Sequence, residues 1–308
     1  MGQAYGYKGF CKVATHLLPY TRETLTERHK ILRDEGIHGG GAAAENASFY
    51  SEILAANGPI EYEGDIESYM YGASGAYASA ITSLVSKATA ADEREAGYTG
   101  GEIIVNPGTT QAWEYPGSSA DVGNKAVVSS IRMSGSAGDL IKFTASIWST
   151  TRKSNATAPA ATDYVYESEA GTEDYNPLPW YGCDVTPSID GGTFTDRITA
   201  WDLSIENNPL RINTFNGTQY AQDIGMGMMI VTGSFTYYGP LGAFGNAAAL
   251  INGGTITFDF QSAFSLYLPY ILLEERGIES AGPNEIVQRT VKFRSLAKSG
   301  TVPSIAIT

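Results

Sequence analysis

Between Met226 and Tyr238 the chain reads MGMMIVTGSFTYY, a run without proline or charge. Rich in β-branched and aromatic residues, it predicts one long β-strand. Successive side chains of a strand point to opposite faces. Met226, Met228, Ile230, Thr232, Ser234 and Thr236 therefore share one face, and Gly227, Met229, Val231, Gly233, Phe235 and Tyr237 the other. A hydroxyl face backed by glycines and aromatics suits a sheet with one side in a core and the other toward water or a partner. Upstream, Ile198 to Glu206 (ITAWDLSIE) alternates strictly, with Trp201, Leu203 and Ile205 opposite Asp202, Ser204 and Glu206. The two segments are expected to pair. Between them lie Asn207-Asn208-Pro209 and Asn216-Gly217, and Asn-Gly favours the left-handed backbone of a tight hairpin turn.

Further strands are expected at Phe10–Val13, Pro59–Glu63, Gly101–Val105, Thr255–Phe260, Leu266–Glu274 and Glu285–Ala297. Pro269 should interrupt the second-last of these, because proline gives no N–H to a ladder. In Glu285–Ala297, Val287, Val291 and Phe293 oppose Gln288, Thr290 and Lys292. Ala126–Ser134 and Leu140–Trp148 form a hairpin turned at Gly135–Asp139. Its second arm alternates Ile141, Phe143, Ala145 and Ile147 with Lys142, Thr144, Ser146 and Trp148, while Val128 falls out of phase with Ile131 and Met133. Val302–Ile307 can add an edge strand to this molecule or a neighbour. Two helices are expected, Asp65–Tyr71 capped by Asp65 and Ala76–Ala90.

Two segments are ambiguous. Thr21–Gly36 (TRETLTERHKILRDEG) alternates in sign. Thr21 as cap, Thr24 and Glu27 in box-like spacing and Gly36 as terminator suit an exposed helix. Its thin apolar stripe of Leu25, Ile31 and Leu32 suits an extended arm instead. Gly39 to Ala44 follows as a joint. Thr150–Pro179 is a polar loop carrying Arg152, Lys153, Glu167, Glu169, Glu173 and Asp174, and a loop of that length is usually functional or disordered. No composition break divides the chain. The expected fold is all-β (β-rich α+β): one domain over residues 1–308, an antiparallel β-sandwich or barrel with one or two flanking helices.

A net charge of −13 argues against a protein that grips phosphates. Charged residues make up only 17%, low for a monomer's surface, so partners are expected to cover much of it. The segment MGQAYGYKGF has no basic-then-apolar run, and no stretch approaches a membrane span, so neither secretion nor a membrane role is expected. The sequons at Asn46, Asn155 and Asn216 then carry no meaning. Cys11 and Cys183 make no disulfide framework. They are expected as free buried thiols, or as a bridge within or between chains outside a reducing cytosol.

Few residues of the sequence stand in a pattern that carries chemistry. His16, His29 and His38 stand at no metal-ligand spacing, no nucleophile elbow or phosphate loop is present, and neither cysteine has a catalytic histidine signature. No catalytic, metal or cofactor residue is assigned. Glu61 and Glu63 share a strand face and could in principle do acid and base work on a glycoside. Two solvated acids are the plainer reading. Trp180 and Tyr181, beside Gly182 to Thr186, could form an aromatic binding ledge, or a core or interface patch.

The runs WDLSIEN at Trp201–Asn207 and MIVTGSFTYY at Met229–Tyr238, in this relation, resemble the tail tube proteins of tailed bacteriophages. IVQRTVKFR near the C-terminus and the segment Gly58–Gly72 look similar too. The resemblance covers most of the chain from Gly58 on, leaving an N-terminal arm or loop near 19–57 and insertions near 73–120 and 150–179 outside it. It implies a structural subunit and no enzyme. Such subunits form hexameric rings that stack into a tube, each adding strands to an inner β-barrel through which DNA passes without specific binding. The implied partners are the chain itself, a tape measure protein, a tail terminator and, in a contractile tail, a sheath. The implied location is the virion, after assembly in the host cytoplasm. Closing sheets across subunits would remove exposed edges, and acidic copies would present phosphates with a repelling wall. Arg22, Glu23, Glu27, Arg28, Arg33 and Asp34 are the candidate contacts between stacked rings. The rivals are a baseplate hub or tail terminator of the same fold, or a carbohydrate-binding sandwich or glycosidase using Trp180, Tyr181, Glu61 and Glu63.

Overall fold

The computed structural model describes residues 10–33, 55–71, 76–106, 112–117, 124–155, 177–189, 192–193, 198–214, 220–238, 253–261, 264–276, 288–296 and 305–307. The chain opens with β1 (Phe10–Val13), β2 (His16–Leu18), β3 (Arg22–Glu23), β4 (Thr26–Arg33) and β5 (Ala55–Tyr69). Helices α1 (Ala76–Thr89) and α2 (Ala91–Ala96) follow. Then come β6 (Ile103–Asn106), β7 (Ala112–Tyr115), β8 (Ala126–Ser136), β9 (Lys142–Ser149), β10 (Lys153–Asn155), β11 (Asp184–Ile189) and β12 (Gly192–Thr193). The last third holds β13 (Ile198–Glu206), β14 (Leu210–Ile212), β15 (Asp223–Gly225), β16 (Ile230–Tyr238), β17 (Gly254–Phe260), β18 (Phe264–Arg276), β19 (Gln288–Ser295) and β20 (Ala306–Ile307).

Among the described residues three antiparallel sheets result. The largest has thirteen strands, in the order β12-β11-β17-β18-β19-β16-β13-β8-β9-β5-β3, with β4 also on β5 and β20 on β18. A second runs β10-β7-β6-β1-β2, and β14 pairs β15. The large sheet folds back on itself. Four strand spacings separate β13 from β17, about 19 Å in a flat sheet, yet the Trp201 ring lies 5.1 Å from Phe258 and 5.9 Å from Phe260. Two layers therefore face each other across an aromatic core, as the alternation predicts. Gly135 is Trp201's partner on β8. A Cβ at Gly135 would lie 2.7 Å from the indole nitrogen, so the glycine is what admits the ring. Helix α1 buries Tyr77, Ile81, Leu84, Val85 and Ala88, a 3.6-residue stripe, against β1, β2 and β8.

Four expectations change. Asp65–Tyr71 is not a helix: Asp65 to Tyr69 continue β5 along β9, with Ile66, Ser68 and Met70 buried. Period-2 burial outweighs an acidic residue that merely looks like a cap. Arg22–Glu23 and Thr26–Arg33 are extended and pair with β5, so the arm reading holds over those residues and the helix does not. The strand forecast from Met226 begins only at Ile230. Gly227 presses on the Asn208 carbonyl, where a Cβ would come within 2.2 Å. Arg94 Nη2 donates to the Gly227 carbonyl at 2.9 Å, and Asn208 Nδ2 to that of Met228 at 3.1 Å, so side chains take ladder acceptors. Pro269 does not break β18. Leu268 pairs Ile256 and Ile271 pairs Gly254, leaving Pro269 and Tyr270 in a bulge opposite one residue. There β18 also changes neighbours, from β20 to β19, so the missing N–H leaves no ladder partner waiting.

The out-of-phase Val128 is real: a bulge between Val128 and Ser130 resets β8 against β9. Asp34, Gly39–Ala44, the Asn216-Gly217 turn and the acids of the long loop lie outside the described residues.

Candidate functional site

One face of the large sheet is polar from strand to strand. Glu67, Thr144, Arg132, Ser204, Thr232 and Arg294 stand in register across β5, β9, β8, β13, β16 and β19. A second row holds Tyr69, Lys142, Ser134, Asp202, Ser234 and Lys292. These side chains are half-buried or exposed, while their chain neighbours Phe143, Met133, Leu203, Val231 and Phe293 are buried. The hydroxyls bond across strands. Ser130 Oγ donates to Ser146 Oγ at 2.9 Å, which donates to Asp65 Oδ1 at 2.5 Å. Ser234 Oγ donates to the Asp202 carboxylate, and the Thr236 and Thr290 hydroxyls meet at 2.9 Å. Arg294 Nε lies 3.1 Å from Glu274. Charges of both signs interleave: Arg132, Lys142, Lys292 and Arg294 among Asp65, Glu67, Asp202 and Glu206. Ser130, Arg132 and Glu206 of this face line a shallow pocket together with Trp148 and Asn208.

The candidate contact residues flank this face. Arg22 lies 3.6 Å from Glu67, and Glu23 accepts the Leu25 N–H at 2.7 Å. Burial raises the Glu23 carboxyl above the usual range, partly offset by that hydrogen bond. Glu27 takes the Arg152 guanidinium on one oxygen and His29 Nε2, at 2.5 Å, on the other. Arg28 Nη1 lies 2.5 Å from Glu63, yet the Arg28 side chain remains 66% exposed. Arg33 ends β4 opposite Ala55.

Glu61 and Glu63 do share a strand face, but not as a free pair. Arg211, reaching over from β14, sets Nη1 3.5 Å from Glu61 and Nη2 3.2 Å from Glu63. Its guanidinium also lies 4.1 Å from the Trp148 ring centre and donates to the Tyr62 carbonyl at 3.3 Å. A buried cation wedged between two carboxylates leaves neither as a nucleophile or proton donor for a sugar. Arg152 repeats the pattern, 4.2 Å over Trp113 and 5.5 Å over Tyr62. Neither arginine carried a signal in the sequence, since their partners lie far away along the chain. Asn207 went unnoticed too, although it closes the WDLSIEN run. Fully buried, it donates to the carbonyls of Ala88, at 3.0 Å, and Val128, at 2.9 Å.

Trp180 and Tyr181 are not core: they are 47% and 64% exposed in a short 3-10 turn, edge to face at 5.8 Å. Cys11, in the five-stranded sheet, and Cys183, just before β11, are buried free thiols. Burial raises both above the usual thiol range. Among the described residues no group of His, Cys, Asp and Glu could hold a metal ion, and no helix is long and apolar enough to cross a membrane.

The family model described as phage tail tube protein matches residues 55–294, more than two thirds of the chain. The match starts with β5, runs through both segments read as insertions, and leaves β1 to β4 outside it. No curated protein matches the chain.

Proposed function

This chain belongs to the phage tail tube protein family, and from that premise we propose that its copies close into hexameric rings stacked as a conduit for DNA. Membership makes it a structural component of the virion tail, in a family of tube proteins rather than enzymes. The observation that carries the finer reading is the hydroxyl-lined sheet face, which becomes the wall of the channel. Interleaved charges hold the wall near local neutrality, so a duplex meets neither a basic grip nor a strong repulsion. Among the described residues the large sheet ends in β3 and β4 on one side and in β12 on the other. Edges of neighbouring copies complete one another there, and a ring leaves no strand border to seed aggregation. Arg22, Glu23, Glu27, Arg28, Arg33 and Asp34 serve contacts between rings. A tape measure protein, a tail terminator and, in a contractile tail, a sheath are the remaining partners.

Cryo-electron microscopy of the purified protein tests this. Hollow six-fold tubes with Thr232, Ser234 and Arg132 on the inner wall are expected. A monodisperse monomer at high concentration would end the proposal, and rings that never stack would favour a terminator.

A further inference from the structure

We propose that a pocket on the polar face takes one unpaired guanine base from a single-stranded DNA end. The pocket belongs to the single chain; that DNA is what meets it rests on the channel reading above.

The site follows from register. Ser130 pairs Glu206 and Arg132 pairs Ser204, so Arg132 and Glu206 stand diagonally across β8 and β13 on one face. Diagonal neighbours on a sheet are rooted roughly 7–8 Å apart. The two charges are opposite in sign, yet they do not pair with each other. Among the described residues neither side chain has an ion-pair or hydrogen-bond partner. Ser204, beside both, adds an Oγ that is out of water and has no hydrogen-bond partner among the described residues. With Ser130, Trp148, Asn208 and Pro209 the two charges line a pocket of about 320 Å³. That is the small end of the range of ligand sites, roughly 300–1,000 Å³.

Its walls are set in advance. Arg211 lies 4.1 Å from the Trp148 ring centre and comes from the side of Glu61 and Glu63 on β5. The pocket opens on the opposite side of that ring, toward β8 and β13. Asn208 has a left-handed backbone, φ 45°, and ties Nδ2 to the Met228 carbonyl, which fixes the rim of Asn208 and Pro209. The Ser130 and Ser146 hydroxyls donate inward, ending on Asp65. Arg132 is then the donor left for a guest, and Glu206 the acceptor.

This set of groups selects its guest. A planar base stacks on an indole. Arginine forks onto the adjacent O6 and N7 acceptors of guanine. On its next edge guanine presents two donors, N1–H and the 2-amino group, and one carboxylate accepts both. No other base of DNA sets a pair of acceptors beside a pair of donor groups. Glu206 also repels phosphate, so the backbone stays outside. A duplex keeps its bases stacked and paired. It passes untouched, and only an unpaired end is held.

Isothermal titration of the unassembled protein tests this, with single-stranded thymidine pentamers carrying one central guanine, hypoxanthine or adenine. The guanine pentamer should bind about tenfold or more tighter than the adenine one. Hypoxanthine, which lacks the 2-amino group, should fall between them. The same guanine in a stable hairpin duplex should give no heat of binding. Glu206→Ala should erase the difference between guanine and hypoxanthine, and Arg132→Gln should weaken both, with the fold checked by circular dichroism. The comparison of guanine with hypoxanthine needs no variant and decides the matter if either substitution harms the fold. Equal binding of the three pentamers, or full guanine preference in folded Glu206→Ala, overturns the proposal. Silence from every pentamer beside saturable binding of a glutamine-containing peptide overturns it in favour of a protein partner. Guanine binding by a protein that never forms tubes keeps the pocket and overturns the channel reading alone.

Discussion

Arg211 joins Glu61, Glu63, Trp148 and the Tyr62 carbonyl at one guanidinium. Its side chain and that of Glu61 are each about nine-tenths buried, so both charges were taken out of water and depend on their partners for compensation. Arg211→Ala leaves Glu61 and Glu63 without their shared cation. It should cost about 3–5 kcal/mol in urea unfolding, the usual loss when one partner of a buried pair is removed. Buried phenols set a second residue-scale limit. Burial, reinforced by Tyr77, pushes Tyr71 up to about 12. Burial does the same for Tyr115, to about 12, against the opposing pull of Arg152. The folded values stand above the ordinary 10, so this contribution to stability is complete below pH 10 and is lost as pH rises toward 12. Unfolding midpoints should therefore drop over that window, together with the rise of tyrosinate absorbance. Of the residues that matter, sequence reasoning reached Glu61 and Glu63 as a pair on one face. It missed Arg211, because an arginine 148 residues from Glu63 leaves no periodic trace.

Among elements, the junction of α1 with β8 depends on one amide. Asn207 satisfies the last-turn carbonyl of Ala88 and the bulge carbonyl of Val128, and its own N–H donates to Ser129 at 2.8 Å. Asn207→Ala strands two buried carbonyls. It should cost about 1–3 kcal/mol and raise amide exchange in the last turn of α1 ahead of the rest of the helix. Equal exchange along α1 would show that the bridge carries no local weight. The elements themselves were largely legible. Alternation marked β13, β9 and β19, Ala76–Ala90 was read as the helix that became α1, and Val128 fell out of phase where the structure has a bulge. Failures came where a local signal met a tertiary one. Asp65 reads as a cap until β9 supplies a ladder, and Met226–Met229 reads as strand until Arg94 and Asn208 take its carbonyls.

For the molecule as a whole, layering could be foreseen and closure could not. Alternating faces say that two sheets must meet, but only the contact of Trp201 with Phe258 and Phe260 shows one sheet doubling over. The polar wall was visible as the hydroxyl face of Ile230–Tyr238, and its breadth emerged only with the register of its neighbours. Tube assembly should be salt-sensitive if ion pairs join the rings. Raising ionic strength past a few tenths molar, where the Debye length falls below about 6 Å, should shorten tubes while ring mass holds. Tubes indifferent to salt would point to an apolar axial contact.

The unequal burial of the four tryptophans has one more consequence. Trp201 is sealed between layers while Trp180 stands in solvent, and Trp113 and Trp148 lie under the guanidinium groups of Arg152 and Arg211. With Trp113, Trp148 and Trp180 replaced by Phe, the remaining emission follows the parting of the layers during denaturation. With Trp113, Trp148 and Trp201 replaced instead, protection of the lone Trp180 from acrylamide times the moment one copy covers the next.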